Sequence, residues 1–153
     1  MTNPFPFTAG DVLQASDLNS IGDWLTFTPT FTNVTLGGSG AVVGRYAEVN
    51  DLVFYNAKFD LGGTGSVTGS VQLNTPFGTA DTATTYPATH QGWVRPVGSS
   101  IWHCMGFSSG TKIYYYAYGL SGSYSGASSV NATTPATWNS NGIGYFAGWY
   151  AKS

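Results

Sequence analysis

Charge is the scarcest property of this sequence. Only 8% of its 153 residues are Asp, Glu, Lys or Arg, against about 25% in an average soluble domain. The five basic residues, Arg45, Lys58, Arg95, Lys112 and Lys152, are scattered, and the formal net charge is −2. They form no row that would neutralise a phosphate backbone, so no nucleic-acid partner is expected. Cysteine is nearly absent. Cys104 stands alone, which excludes an intrachain disulfide and leaves core burial and assembly to hold the fold. No apolar run approaches the ~20 residues of a membrane helix, and the opening MTNPFPFTAGD has neither part of a signal peptide. Membrane insertion is therefore not expected. Without a secretory signal, Asn33-Val34-Thr35 and Asn131-Ala132-Thr133 read as chance matches to glycosylation acceptors.

Chemistry is equally sparse. His103 and Cys104 are neighbours in a strand-like stretch, so their side chains point to opposite faces and cannot act on each other. A buried structural cysteine is the expectation there. His90 falls in an irregular Gly/Thr/Pro-containing segment, 78 to 91, expected at the surface, and no ligand cluster with metal spacing surrounds it. The carboxylates Asp11, Asp17, Asp23, Glu48, Asp51, Asp60 and Asp81 are dispersed. Glu48 and Asp60 are the only candidate pair for glycoside chemistry, and only an unusual register would bring them together. The glycine runs precede strands rather than helices, so none reads as a phosphate cradle. No enzymatic activity, metal or cofactor is expected.

What the chain does have is glycine, small polar residues and aromatics, the last at 16%, arranged with a period of two. Gly44 to Leu61 is the clearest case. Val43, Arg45, Ala47 and Val49 alternate with Val42, Gly44, Tyr46 and Glu48. A second run, Val53, Tyr55, Ala57, Phe59 and Leu61, follows after Asn50-Asp51. This is a hairpin, with Asn-Asp supplying the positive φ of a tight turn. Upstream, Trp24 to Thr32 alternates, but Pro29 cannot donate to a ladder, which predicts an edge or bulged strand. Downstream, Val67 to Leu73, Gly92 to Val97, Ile101 to Phe107, Lys112 to Tyr118, Ser128 to Thr133 and Ile143 to Tyr150 read as strands with turn signals between. Short strands at that spacing predict an all-β antiparallel β-sandwich or jelly roll.

The first 25 residues differ from the rest. Pro4 and Pro6 alternate with Phe5 and Phe7, which predicts an extended arm that either docks on a neighbour or folds back. Residues 10 to 23 predict one short helix, capped by Ser16 or Asp17 and ended by Gly22. Its apolar stripe, Leu18, Ile21 and Leu25, would pack on the β-domain or line a three-fold axis. The expected organisation is an anchoring arm and helix over residues 1–25 and a β-sandwich domain over 26–153. The low charge removes an electrostatic barrier to self-association and suits an assembled protein, here a homotrimer.

The candidate binding feature is Tyr114-Tyr115-Tyr116-Ala117-Tyr118, in which Tyr114, Tyr116 and Tyr118 share one sheet face. Aromatic rings with a polar tip suit flat ligands such as sugars, or packing between subunits. Trp93, Trp102, Trp138 and Trp149 are expected in the core.

These features carry a resemblance. The segment from Phe7 to Asn19, Trp24 with Thr28-Pro29-Thr30, Gly44-Arg45-Tyr46 leading to Asp51-Leu52-Val53, Pro135-Ala136-Thr137-Trp138 and the closing Gly144 to Tyr150 together resemble tail-fibre-like minor tail proteins of tailed bacteriophages, especially those of actinobacterial hosts. The chain departs from that pattern at Asn74-Thr75, where the family places Leu-Pro directly, and in having a single short domain. The resemblance implies a homotrimeric virion structural protein, anchored through Phe5, Phe7, Leu18, Ile21 and Leu25 to other virion proteins, tail or major capsid. Its β-domain would face outward toward a host-surface glycan. A capsid decoration or cement protein is the alternative it allows. A free carbohydrate-binding module is a third reading, against which the low charge and the apolar arm argue.

Overall fold

The expected hairpin is the spine of the computed structural model, which describes residues 22–80, 89–96, 98, 100–118 and 126–152. Strands β3 (Ala41–Val49) and β4 (Leu52–Asp60) pair antiparallel from Val49↔Leu52 to Ala41↔Asp60. Asn50 turns the chain at φ 54°, a left-handed value that Asn tolerates better than most residues. The expected arm residues Phe5 and Phe7, and Leu18 and Ile21 of the expected helix, lie outside the described residues.

Eight further strands complete the architecture: β1 (Leu25–Phe27), β2 (Phe31–Thr35), β5 (Ser66–Asn74), β6 (Thr89–Arg95), β7 (Trp102–Ser109), β8 (Lys112–Tyr118), β9 (Ala127–Ser129) and β10 (Ile143–Ala151). All pairings are antiparallel, and the strands join in one sheet of order β1-β3-β4-β10-β6-β7-β8-β5-β2, with β9 on β8. The fold is thus all-β and antiparallel, with no helix among the described residues. Instead of two separate sheets, the single sheet curls into a half-barrel, so that its flanks meet across one core. Phe31 on the terminal strand β2 reaches Phe59 on β4 at 5.0 Å, and Tyr115 on β8 lies 4.0 Å from Phe146 on β10, centroid to centroid.

Pro29 explains where the sheet ends. The expected single strand from Trp24 to Thr32 is split around it into β1 and β2, which occupy opposite edges of the sheet. β2 carries the expected irregularity: its register shifts between Thr32 and Val34, where Asn33 sits at φ 63° and bonds the Ser70 carbonyl at 2.9 Å. Bulges and proline blunt exposed edges against further pairing. Leu25 is in β1, opposite Tyr46; the expected helical stripe therefore does not extend to it, because the chain is already extended at that residue.

Curling demands room inside, and glycine supplies it. The inner face of β10 alternates Gly144, Phe146, Gly148 and Tyr150. A Cβ on Gly148 would stand 2.4 Å from the Thr89 carbonyl oxygen and 2.9 Å from His90 Nδ1; one on Gly92 would stand 2.7 Å from the Phe146 ring. Small residues beside large ones fill a tapered interior without overlap. The core so formed joins Phe31, Val53, Phe59, Leu73, Ile113, Tyr115 and Phe146 with smaller neighbours.

Candidate functional site: the outer aromatic face

The outward phase of the central strands is also aromatic. On β8, Ile113, Tyr115 and Ala117 are buried, while Tyr114, Tyr116 and Tyr118 face out. The expected tyrosine ladder therefore exists, and the register extends it. Phe107 lies opposite Tyr114 and Met105 opposite Tyr116; Trp93 lies between His103 and Tyr145; Trp149 lies opposite Phe54. Met105 (55%), Phe107 (49%) and Tyr118 (43%) are among the most exposed large apolar side chains of the chain.

These rings are organised in two stacks. Phe107 is nearly parallel to Tyr114 (5.2 Å, 11°) and stacks on Tyr116 (5.6 Å, 29°). Trp93 and Tyr145 stack at 6.0 Å and 17°. Cross-strand aromatic pairs of this kind stabilise a sheet modestly and stand the rings up from it. A shallow depression of about 330 Å³ lies over Gln91, Trp93, His103, Met105, Tyr145 and Ala147. A second, of about 350 Å³, lies over Met105, Phe107, Tyr116 and Tyr118. No Asp, Glu, Lys or Arg lines either one. Lys58, opposite Tyr145, is paired with Asp60 at 3.9 Å, and Arg95 is in phase with Trp93 on β6.

The inner face holds the other polar constellation. Tyr55 Oη lies 2.7 Å from Tyr115 Oη and 2.8 Å from His90 Nδ1, all buried. Nε2 of His90 has no hydrogen-bond partner among the described residues. Burial lowers the His90 pKa to about 4 and pushes the Cys104 thiol up to about 12. Burial likewise raises the Tyr55 and Tyr115 hydroxyls above the usual phenol range. Such groups stay neutral and are closed to solvent, so this cluster ties β4, β6 and β8 together and offers no reactive group at the surface. Tyr150, pushed up to about 12 by burial, donates to the Phe77 carbonyl at 2.6 Å and anchors the segment after β5.

Several sequence expectations change here. His90 is not in a surface loop: residues 89 to 91 belong to β6, and His90 is 1% exposed. Trp93 and Trp149 are not core residues but half-buried members of the outer face, whereas Trp102 and Trp138 do pack against the core. His103 and Cys104 point to opposite faces as expected. Glu48 and Asp60 lie toward opposite ends of the hairpin, opposite Val53 and Ala41, and Glu48 pairs with Lys152. Among the described residues no group of three or more His, Cys, Asp or Glu side chains converges on a metal position. Met105, Phe107 and Tyr145 are not among the residues the sequence singles out for binding, although Met105 is in phase with His103 and Phe107, as Trp93 is with Gln91 and Arg95.

No protein-family model, curated protein or solved structure matches this chain.

Proposed function

We propose that this chain is a non-enzymatic structural protein of a tailed-phage virion, of tail-fibre or tail-tip type, whose outer face contacts host-surface glycan. The supporting observation is that face itself: exposed aromatic and thioether side chains on adjacent strands, set in shallow depressions lined by no charged residue. Exposed apolar side chains clustered on one face suit a contact surface, and rings with polar tips suit the alternating apolar and hydroxylated faces of sugars. The homotrimer and the short helix belong to the same proposal. In it Phe5, Phe7, Leu18, Ile21 and Leu25 anchor the chain, and Leu25 is exposed on the β-domain. The low charge, which suits any permanent assembly, equally allows a second reading, a capsid decoration protein in which apolar surface packs on major capsid subunits.

Antibody labelling of intact particles, imaged by electron microscopy, tests the proposal. Label at the tail end supports it. Label spread over the head replaces it with the decoration reading, and unlabelled particles with a monomeric, sugar-binding chain replace it with a free binding module.

A further inference from the structure

We infer, on the reading that the outer face takes glycan, that it is a two-subsite groove for an uncharged linear oligosaccharide running across β10, β6, β7 and β8, with Met105 between the subsites. The first subsite is the Trp93–Tyr145 stack and the depression beside it; the second is the depression bounded by Phe107, Tyr116 and Tyr118. Met105 lines both, so the two adjoin at that side chain.

Three features select the occupant. Tyr118 is exposed and its ring has no aromatic partner among the described residues, leaving a ring face open for stacking. Gln91 and His103 in the first depression can donate to and accept from hydroxyl groups, as a sugar edge requires and an aliphatic partner would not. The lining carries no formal charge, and an anionic glycan would lose hydration there without a cation to compensate it.

Shape argues against a second copy of this chain. The outer face is the convex side of a curled sheet, and two convex faces meet along a narrow line, well short of the roughly 800 Å² per partner of a stable interface. A slender chain can instead follow the curve. From β10 to β8 it crosses about 14 Å, three interstrand spacings of about 4.8 Å, which is wider than a single sugar ring.

Calorimetric titration of the full chain tests this, using neutral linear tetrasaccharides of glucose, galactose, mannose and N-acetylglucosamine, each beside its monosaccharide, and polygalacturonate as the charged control. The expected result is one or more tetrasaccharides binding at least about 10-fold tighter than the matching monosaccharide. Trp93→Ala and Tyr118→Ala, each with an unchanged circular dichroism spectrum, should both narrow that gap. Equal affinity for monosaccharide and tetrasaccharide, or sensitivity to only one variant, overturns the two-subsite groove and leaves the glycan reading standing. Preference for polygalacturonate overturns the uncharged occupant alone. Absence of binding to every sugar overturns both readings. If the Trp93→Ala/Tyr118→Ala double variant also shows a smaller mass by sedimentation, the face belongs to self-association.

Discussion

The two faces of the curled sheet are both built from aromatic residues, yet they pack them differently. Inside, ring angles vary widely: Phe31 crosses Phe59 at 76°, Phe59 tilts 40° against Phe146, and Tyr115 stacks on Phe146 at 29°. Outside, Phe107 and Tyr114 lie within 11° of parallel, and Trp93 and Tyr145 within 17°. An enclosed core must fill space in every direction, so edge-to-face, tilted and stacked pairs occur there together. A ring on the outer face touches neighbours only along the sheet and leaves its outer edge to water. Polar groups follow the same division. Inside, the hydroxyls of Tyr55 and Tyr115 and a nitrogen of His90 are spent on one another; outside, Gln91 and His103 line an open depression. Inner aromatics therefore carry stability, and on the proposed reading outer aromatics carry recognition.

That division sets a descending scale of effects. Phe146→Ala should cost about 3–5 kcal/mol in urea unfolding, the range for truncating a fully buried phenylalanine, since it removes contacts with Phe31, Phe59 and Tyr115 together. A loss under about 1 kcal/mol would mean that the core does not depend on this ring. Acid should act next. The unfolded His90 imidazole takes up a proton near pH 6.5, while the folded one stays neutral down to about 4. This contribution is therefore fully present above about pH 7 and falls by about 3 kcal/mol as the pH drops to 4. Stability measured across that window in His90→Gln should lack the slope, whereas His103→Gln should keep it. Tyr55→Phe removes the hydroxyl shared by Tyr115 and His90 and should cost about 1–3 kcal/mol by denaturant titration. Tyr118→Ser, on the outer face, should change stability by no more than about 0.5 kcal/mol. A larger loss there would give the outer face a structural role and erase the contrast.

Local pattern made much of this legible. Asn50-Asp51 between two alternating runs identified the central hairpin, because turn chemistry and period two act within a few residues. The same period placed Tyr114, Tyr116 and Tyr118 on one face and His103 away from Cys104. Pro29 identified the sheet edge, though not that the chain divides there between two opposite edges. His90 escaped because the strand reads from Gly92 onward, whereas β6 begins three residues earlier at Thr89, inside a segment whose Gly, Thr and Pro content reads as irregular. Trp93 and Trp149 are expected in the core, yet their phase with polar Gln91 and with exposed Tyr145 points outward. That one sheet curls on itself, rather than two sheets stacking, depends on pairings such as β4 with β10, whose partners are far apart in the chain. No local pattern reports them.

The strict alternation along β8 has a consequence for how such a surface can change. Ile113, Tyr115 and Ala117 belong to the interior, and Tyr114, Tyr116 and Tyr118 to the exterior, so two independent messages are interleaved letter by letter in one heptapeptide. Variation can rewrite every second letter without disturbing the other message. β7 offers the same freedom at His103, Met105 and Phe107, and β6 at Gln91 and Trp93. A combinatorial library confined to those eight positions would leave the interior text unaltered and would sample new surface specificities on an unchanged frame. A lineage under pressure to follow a changing ligand would find the same positions open to it.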